Sequence, residues 1–273
     1  MKNNELLNIN SYKTGNNQVA TFIGEFNFTL VLFTIGIAII AGFIKGSSGF
    51  AFPMIMLSGL GVLYAPEQAV AYLIFPLFVV NAIQLFQYGV AEAKKIAREY
   101  IRISLVMCVF LIIASPLVII LPKAPLYLIL GIPITAIAIL QLLGWRLRLP
   151  PHYKLRAEYI TGVAAGVSGG FAGVWAPLIV LYLLSINVSK KEYILAQGMI
   201  YTVGSIALIG AHLNTTILNG YTIPTSMSLI LPSITGLYLG IKFSNRLNKR
   251  SFRKLVLVVL ALAGINLIIQ GFI

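Results

Sequence analysis

Two short glycine–serine stretches have the residue types to hold a charged group within apolar segments of a 273-residue chain. Both read G-x-x-x-G-x-S-G, from Gly42 to Gly49 and from Gly162 to Gly169. Each continues with a Phe-Ala pair (Phe50-Ala51, Phe171-Ala172) and a proline, Pro53 or Pro177, heading an apolar run. The second copy carries a four-residue insertion that includes Gly170 and Gly173. Glycines followed by a proline at the first helical position end one helix and start another. A new helix start presents unpaired N–H groups and positive partial charge, which favour an anion. Ser47, Ser48 and Ser168, with the amides of Gly46, Gly49, Gly166, Gly169 and Gly170, are candidate ligands for oxyanion oxygens. Lys45 is the only charge inside either interruption. It reads as a substrate contact if it faces a cavity and as a snorkelling residue if it lies at a hairpin tip. Gln84 and Gln197, in the spans that follow, line the path or bond between helices. The plain reading of G-x-x-x-G is close helix packing, and Gly236-x-x-x-Gly240 is read that way.

The acidic residues inform by their scarcity. The chain has no Asp, and its seven Glu are Glu5, Glu25, Glu67, Glu92, Glu99, Glu158 and Glu192. All are expected in the tail, in loops or at span ends, with Glu67, Glu158 and Glu192 complementing helix starts. No buried acid is then available for a cation cage, and the chemistry points to anions. His152 and His212 lack partners at metal-ligand spacing, and the single cysteine, Cys108, reads as a packing residue. No metal or cofactor is implied.

The elements that must position these residues are membrane spans. Hydrophobic residues make up 59% of the chain and charged ones 10%, with mean hydropathy +0.92. A span needs roughly 20 apolar residues. Ten apolar segments are expected, at 28–44, 53–64, 67–89, 100–121, 125–145, 157–169, 174–186, 192–212, 222–243 and 253–272. Three of these, 53–64, 157–169 and 174–186, are short enough to be half-helices or re-entrant segments. The net charge of +13 does not indicate nucleic acid, because the basic residues cluster between apolar runs. The clusters are Lys94, Lys95, Arg98 and Arg102; Arg146, Arg148, Lys154 and Arg156; Lys190 and Lys191; and Lys242 to Lys254. Placing them in the cytoplasm makes every single span cross once and gives the halves opposite orientations.

The expected architecture is an all-α polytopic membrane protein with two inverted-topology repeats, each a broken-helix hairpin plus three transmembrane helices. A polar tail (1–26), placed outside, precedes repeat 1 (27–146) and repeat 2 (147–273). Paired interruptions in two halves point to a transport site.

At these residues the chain resembles the TauE/SafE sulfite-exporter family of membrane permeases. The resemblance rests on the two glycine–serine motifs with Pro53 and Pro177, and on Gly236 to Gly240 followed by a basic loop and a last helix containing Gly264. It covers about residues 28–273. One departure is that the first copy lacks the family's multiple-glycine run and carries Lys45. The resemblance implies export or exchange of sulfite, organosulfonate or a related small anion, with the site between the hairpins. The mechanism expected is alternating access, the N-terminal half rocking against the C-terminal half. The partners are a small anionic substrate and the bilayer of the plasma or inner membrane; no oligomeric state is assigned. Two other readings stand beside it: an intramembrane enzyme on lipid-linked substrates, and an assembly factor that transports nothing.

Overall fold

The computed structural model describes residues 28–114, 123–145, 148–172, 175–212 and 217–272; the 1–26 tail, Arg146 and Gly173 lie outside these. Among the described residues all regular structure is helical. The first hairpin is α1 (Phe28–Ser48) and α2 (Phe52–Leu60), followed by α3 (Pro66–Phe86), α4 (Val90–Ala114) and α5 (Lys123–Leu142). The second is α6 (Lys154–Ala172) and α7 (Ala176–Ser185), followed by α8 (Lys190–His212), α9 (Thr222–Ser228), α10 (Ile230–Asn245) and α11 (Lys249–Phe272). Local chemistry sets several ends. Pro66 and Glu67 open α3, Ser189 Oγ accepts the Glu192 amide at 3.1 Å, and Asn248 Oδ1 accepts the Ser251 amide at 2.8 Å. Gly89 and Gly144 turn the chain after α3 and α5 at φ +90° and +110°.

Five helical stretches are long and apolar enough to cross a bilayer: Phe28–Ser48, Glu67–Phe86, Lys190–His212, Thr222–Asn245 and Lys249–Phe272. The structure departs from expectation in three places. Segment 157–169 is not a short half-helix but part of α6, 19 residues long. A 3₁₀ turn at Pro151–Tyr153 launches that helix early, and its glycines pack without breaking it. The expected span 222–243 is found as Thr222–Asn245, but its helix is broken at Leu229, where Pro232 removes a backbone donor and crowds the Ser228 carbonyl. Glu158 is not at a helix start. It sits in the second turn of α6, 2% exposed, so one buried acid does exist.

Helix packing crosses the midpoint of the sequence. α1 runs parallel to α10, with Gly42 against Ser233 and Leu237, and Gly46 against Leu237 and Ile241. Gly236 and Gly240 return the contact against Ile39, Phe43 and Ser47. α6 runs parallel to α4, with Gly162 on Ile103 and Val106, and Gly166 on Met107, Phe110 and Leu111. By contrast α3 lies antiparallel to α8, Asn81 meeting Ser205 and Leu85 meeting Gly198. α5 lies antiparallel to α11 through Gly131, Gly264 and Gly271. Exchanging the two halves maps α1·α10 onto α6·α4, and α3·α8 and α5·α11 onto themselves.

The apolar cores follow this packing rather than the sequence halves. One core joins α1, α2 and α3 to Leu229 and Leu237 of the second half. The other joins α4, α5, α6, α7, α8 and α11, and takes in Phe50 and Ala51 from the first interruption and Leu85 from the end of α3. The molecule therefore divides into a smaller body (α1–α3, α9, α10) and a larger one (α4–α8, α11), which meet along the α3–α8 contact.

Candidate functional site

The first interruption is a left-handed kink. Gly49 has φ +92° and Ala51 φ +72°, a conformation costing roughly 1–2 kcal/mol for a residue with a Cβ. The Gly49 amide donates to Lys45 O at 2.7 Å, closing α1. The left-handed backbone at Gly49 calls for glycine, and a side chain there would also push Gln197 Oε1 aside. Ala51 then serves as the N-cap of α2 with no side-chain hydrogen bond, and Pro53 occupies its first turn. The second interruption ends in Trp175, the N-cap of α7, likewise without a side-chain bond and followed by Pro177.

Both helix starts open on one small enclosed cavity. It is lined by Lys45, Phe50, Ala51, Phe52, Pro53, Leu77, Asn81, Trp175, Ala176 and Tyr201, and has room for about one water molecule. Phe52 and Leu77 belong to the core of the smaller body, and Trp175 and Tyr201 to that of the larger. The cavity lies on the boundary between them. On its outer side Ala51 also lines a broad apolar groove of about 460 Å³ between Ile37, Ile40 and Met54 and the Val259–Asn266 stretch of α11.

Lys45 is 1% exposed. Its Nζ donates to Gly49 O at 2.8 Å and stands 4.8 Å from the centre of the Tyr201 ring. Gln84 Nε2 donates to the same Gly49 carbonyl at 3.3 Å and to Ile194 O at 2.8 Å. Asn81 Nδ2 reaches Ser205 Oγ at 2.9 Å, and Tyr201 OH donates to Ala176 O at 3.1 Å. Two buried polar atoms here have no hydrogen-bond partner among the described residues, Asn81 Oδ1 and Gln84 Oε1. Buried polar groups are rarely left so.

Of the residues singled out by sequence, Lys45, Gly49, Gln84 and Gln197 come together. The serine hydroxyls turn back onto their own helices: Ser47 and Ser48 to Ile44 O at 3.1 and 2.7 Å, Ser168 to Ala165 O at 3.3 Å. Ser48 Oγ also accepts the Phe50 amide at 3.4 Å, tightening the kink. Gly46 and Gly166 lie in helix contacts, where a Cβ would meet the backbone of α10 or α4. Gly169 packs on the Trp175 ring, and half-buried Gly170 follows it on α6. The aromatic residues Tyr193, Tyr201 and Trp175 were not foreseen. A signal existed in the four-residue spacing of Tyr193, Gln197, Tyr201 and Ser205, which shares one face of α8.

All three ion pairs among the described residues join α4 to the second half: Arg102–Glu158 at 3.4 Å, Glu99–Lys154 at 3.0 Å and Glu92–Lys191 at 3.0 Å. Tyr100 OH adds a bond to Glu192 at 2.8 Å, and Tyr182 OH one to Glu158 at 3.2 Å. Every one joins helices of the larger body, and none of these residues lines the cavity.

Comparison with curated proteins and with solved structures gives no significant match. The family model described as "Sulfite exporter TauE/SafE" matches residues 34–267, nearly the whole chain and both interruptions. A multi-pass helical membrane protein with that match belongs to the TauE/SafE sulfite exporter family of membrane transporters.

Proposed function

We propose that the chain is a cell-membrane permease that exports or exchanges a small sulfur oxyanion, sulfite or an organosulfonate, at the cavity between the two interruptions. One observation carries this reading. Two uncapped helix starts, one from each half, and the buried Lys45 ammonium open on the same closed space. Helix starts favour anions through their free N–H groups and dipoles, and Gln84, Gln197 and Asn81 supply neutral hydrogen-bonding groups nearby.

The two halves act as inverted-topology repeats; the antiparallel pairing of α3 with α8 and of α5 with α11 supports this arrangement. Alternating access then opens the cavity to one side at a time. The bodies that move are not the sequence halves. Rocking one half against the other would part α1 from α10 and α4 from α6, both packed through glycine faces. The boundary between the two apolar cores passes through the cavity and is the plane along which motion is expected.

The test is flux in proteoliposomes loaded with sulfite, sulfoacetate or methanesulfonate, against protein-free vesicles. Saturable protein-dependent flux of at least one of them is expected. Absence of flux for all three, from protein that remains folded, would remove the reading.

A further inference from the structure

We infer that Lys45 is, among the described residues, the only counter-charge at the site and that the carrier therefore selects singly charged oxyanions over dianions; this rests on the anion-permease reading above. Among the described residues, those surrounding Lys45 are uncharged on every side. Within its own helix it meets the Gly49 carbonyl. From α2 and α7 it faces Phe52, Pro53, Trp175 and Ala176, and from α3 Asn81 and Leu77. From α8 it faces Tyr201, with Gln197 and Tyr193 close by at Gly49. The α10 face packed on α1 offers Ser233, Leu237 and Ile241, while Tyr238 and Lys242 are exposed. The described carboxylates are elsewhere: Glu92, Glu99 and Glu158 in ion pairs, Glu192 on Tyr100, and Glu67 at the exposed start of α3.

A buried ammonium without a partner is costly, and it has three donors, one of which is used on Gly49. A bound monoanion supplies the missing charge and leaves the occupied site neutral. A dianion brings a second desolvated charge for which the site holds no cation. The two helix starts do not change this balance. They add favourable dipoles, but each helix is neutral overall, so they order the oxygens without neutralising a charge. The unpaired Asn81 Oδ1, buried on the same cavity wall, accepts hydrogen bonds only. It welcomes the hydroxyl of a protonated oxyanion and disfavours bare oxygen.

The experiment uses the full chain in nanodiscs, with methanesulfonate, sulfate and sulfite as the probes of binding. Methanesulfonate keeps one charge at every pH used, sulfate keeps two, and sulfite passes from one to two as pH rises through neutrality. At each pH methanesulfonate is expected to bind at least tenfold more tightly than sulfate, and sulfite to weaken relative to methanesulfonate as its dianion forms. Lys45→Met is expected to weaken methanesulfonate at least tenfold and to reduce the preference over sulfate to within twofold; Lys45→Arg is expected to keep that preference. Sulfate binding as tightly as methanesulfonate, or a Lys45→Met protein with undiminished preference, overturns the inference and leaves the permease reading standing. A folded wild-type protein that binds none of the three probes overturns the permease reading itself. The wild-type series needs no variant, so a Lys45 substitution that fails to fold does not blunt the test.

Discussion

The α1–α10 and α4–α6 contacts solve the same packing problem with different chemistry. Both are parallel pairs that join the first arm of a hairpin to a helix of the other half. In the smaller body both partners contribute glycines, Gly42 and Gly46 against Gly236 and Gly240, and backbone meets backbone. In the larger body only α6 contributes them; α4 answers with the side chains of Val106 and Phe110 and with its backbone at Met107 and Leu111, and the ion pairs brace one end. The first interface is backbone against backbone along its length, so any added atom separates the helices. The second meets backbone at Gly166, but at Gly162 a side chain comes first and can yield, and charges hold the pair when it does. The Lys45 kink hangs on the first, the Trp175 turn on the second.

Substitutions can break this contrast. The largest effect is expected at Gly46→Ala, whose methyl would meet Leu237 O and Ile241 N. A loss of about 3 kcal/mol should show in thermal unfolding in detergent, against about 1 kcal/mol for Gly162→Ala, which meets the Val106 side chain first. Equal losses at the two sites would erase the distinction. Next comes Glu158→Gln. Removing the charge that Arg102 and Tyr182 share should cost roughly 2 kcal/mol while leaving anion affinity unchanged, a separation checked by unfolding and binding on one sample.

Gly49→Ala sharpens the contrast at the cavity. Its Cβ would displace Gln197 and occupy a left-handed backbone. Flux is expected to fall about tenfold, equivalent to roughly 1.4 kcal/mol of barrier, with less loss of stability than Gly46→Ala. Flux at the wild-type level would separate the kink from transport. The smallest effect belongs to Glu99→Gln, whose pair with Lys154 is partly exposed. About 0.5 kcal/mol is expected, shrinking as salt is raised; a loss as large as that of Glu158→Gln would show that burial does not grade these pairs.

Much of this layout was legible in the residues. Apolar runs and basic clusters located the spans, and the repeated glycine–serine motifs located both interruptions. The roles inside the motifs were harder to read, because glycine serves two purposes there. Gly49 breaks a helix, whereas Gly46 and Gly166 let one helix touch another; all three belong to the same repeated motif, and the packing partner tells them apart. The serines illustrate a second difficulty. A hydroxyl in a helix can satisfy itself on the carbonyl three or four residues back, and Ser47 and Ser48 do so on Ile44. Tyr201 and Trp175 reach the cavity by tertiary packing across the two bodies, which no local pattern reports. The α6 start was misplaced because charged residues, apolar stems and a 3₁₀ turn carry a helix beyond its apolar run.

The reciprocal glycine contact between α1 and α10 has a consequence for synthesis. α1 is translated well before α10, so the paired surface of α1 must wait in the bilayer while α2 to α9 are made. During that interval Gly42 and Gly46 present bare backbone to lipid or to a passing helix. A chain halted before α10 would be left with an unfinished first body, open to whichever small-residue helix arrives first.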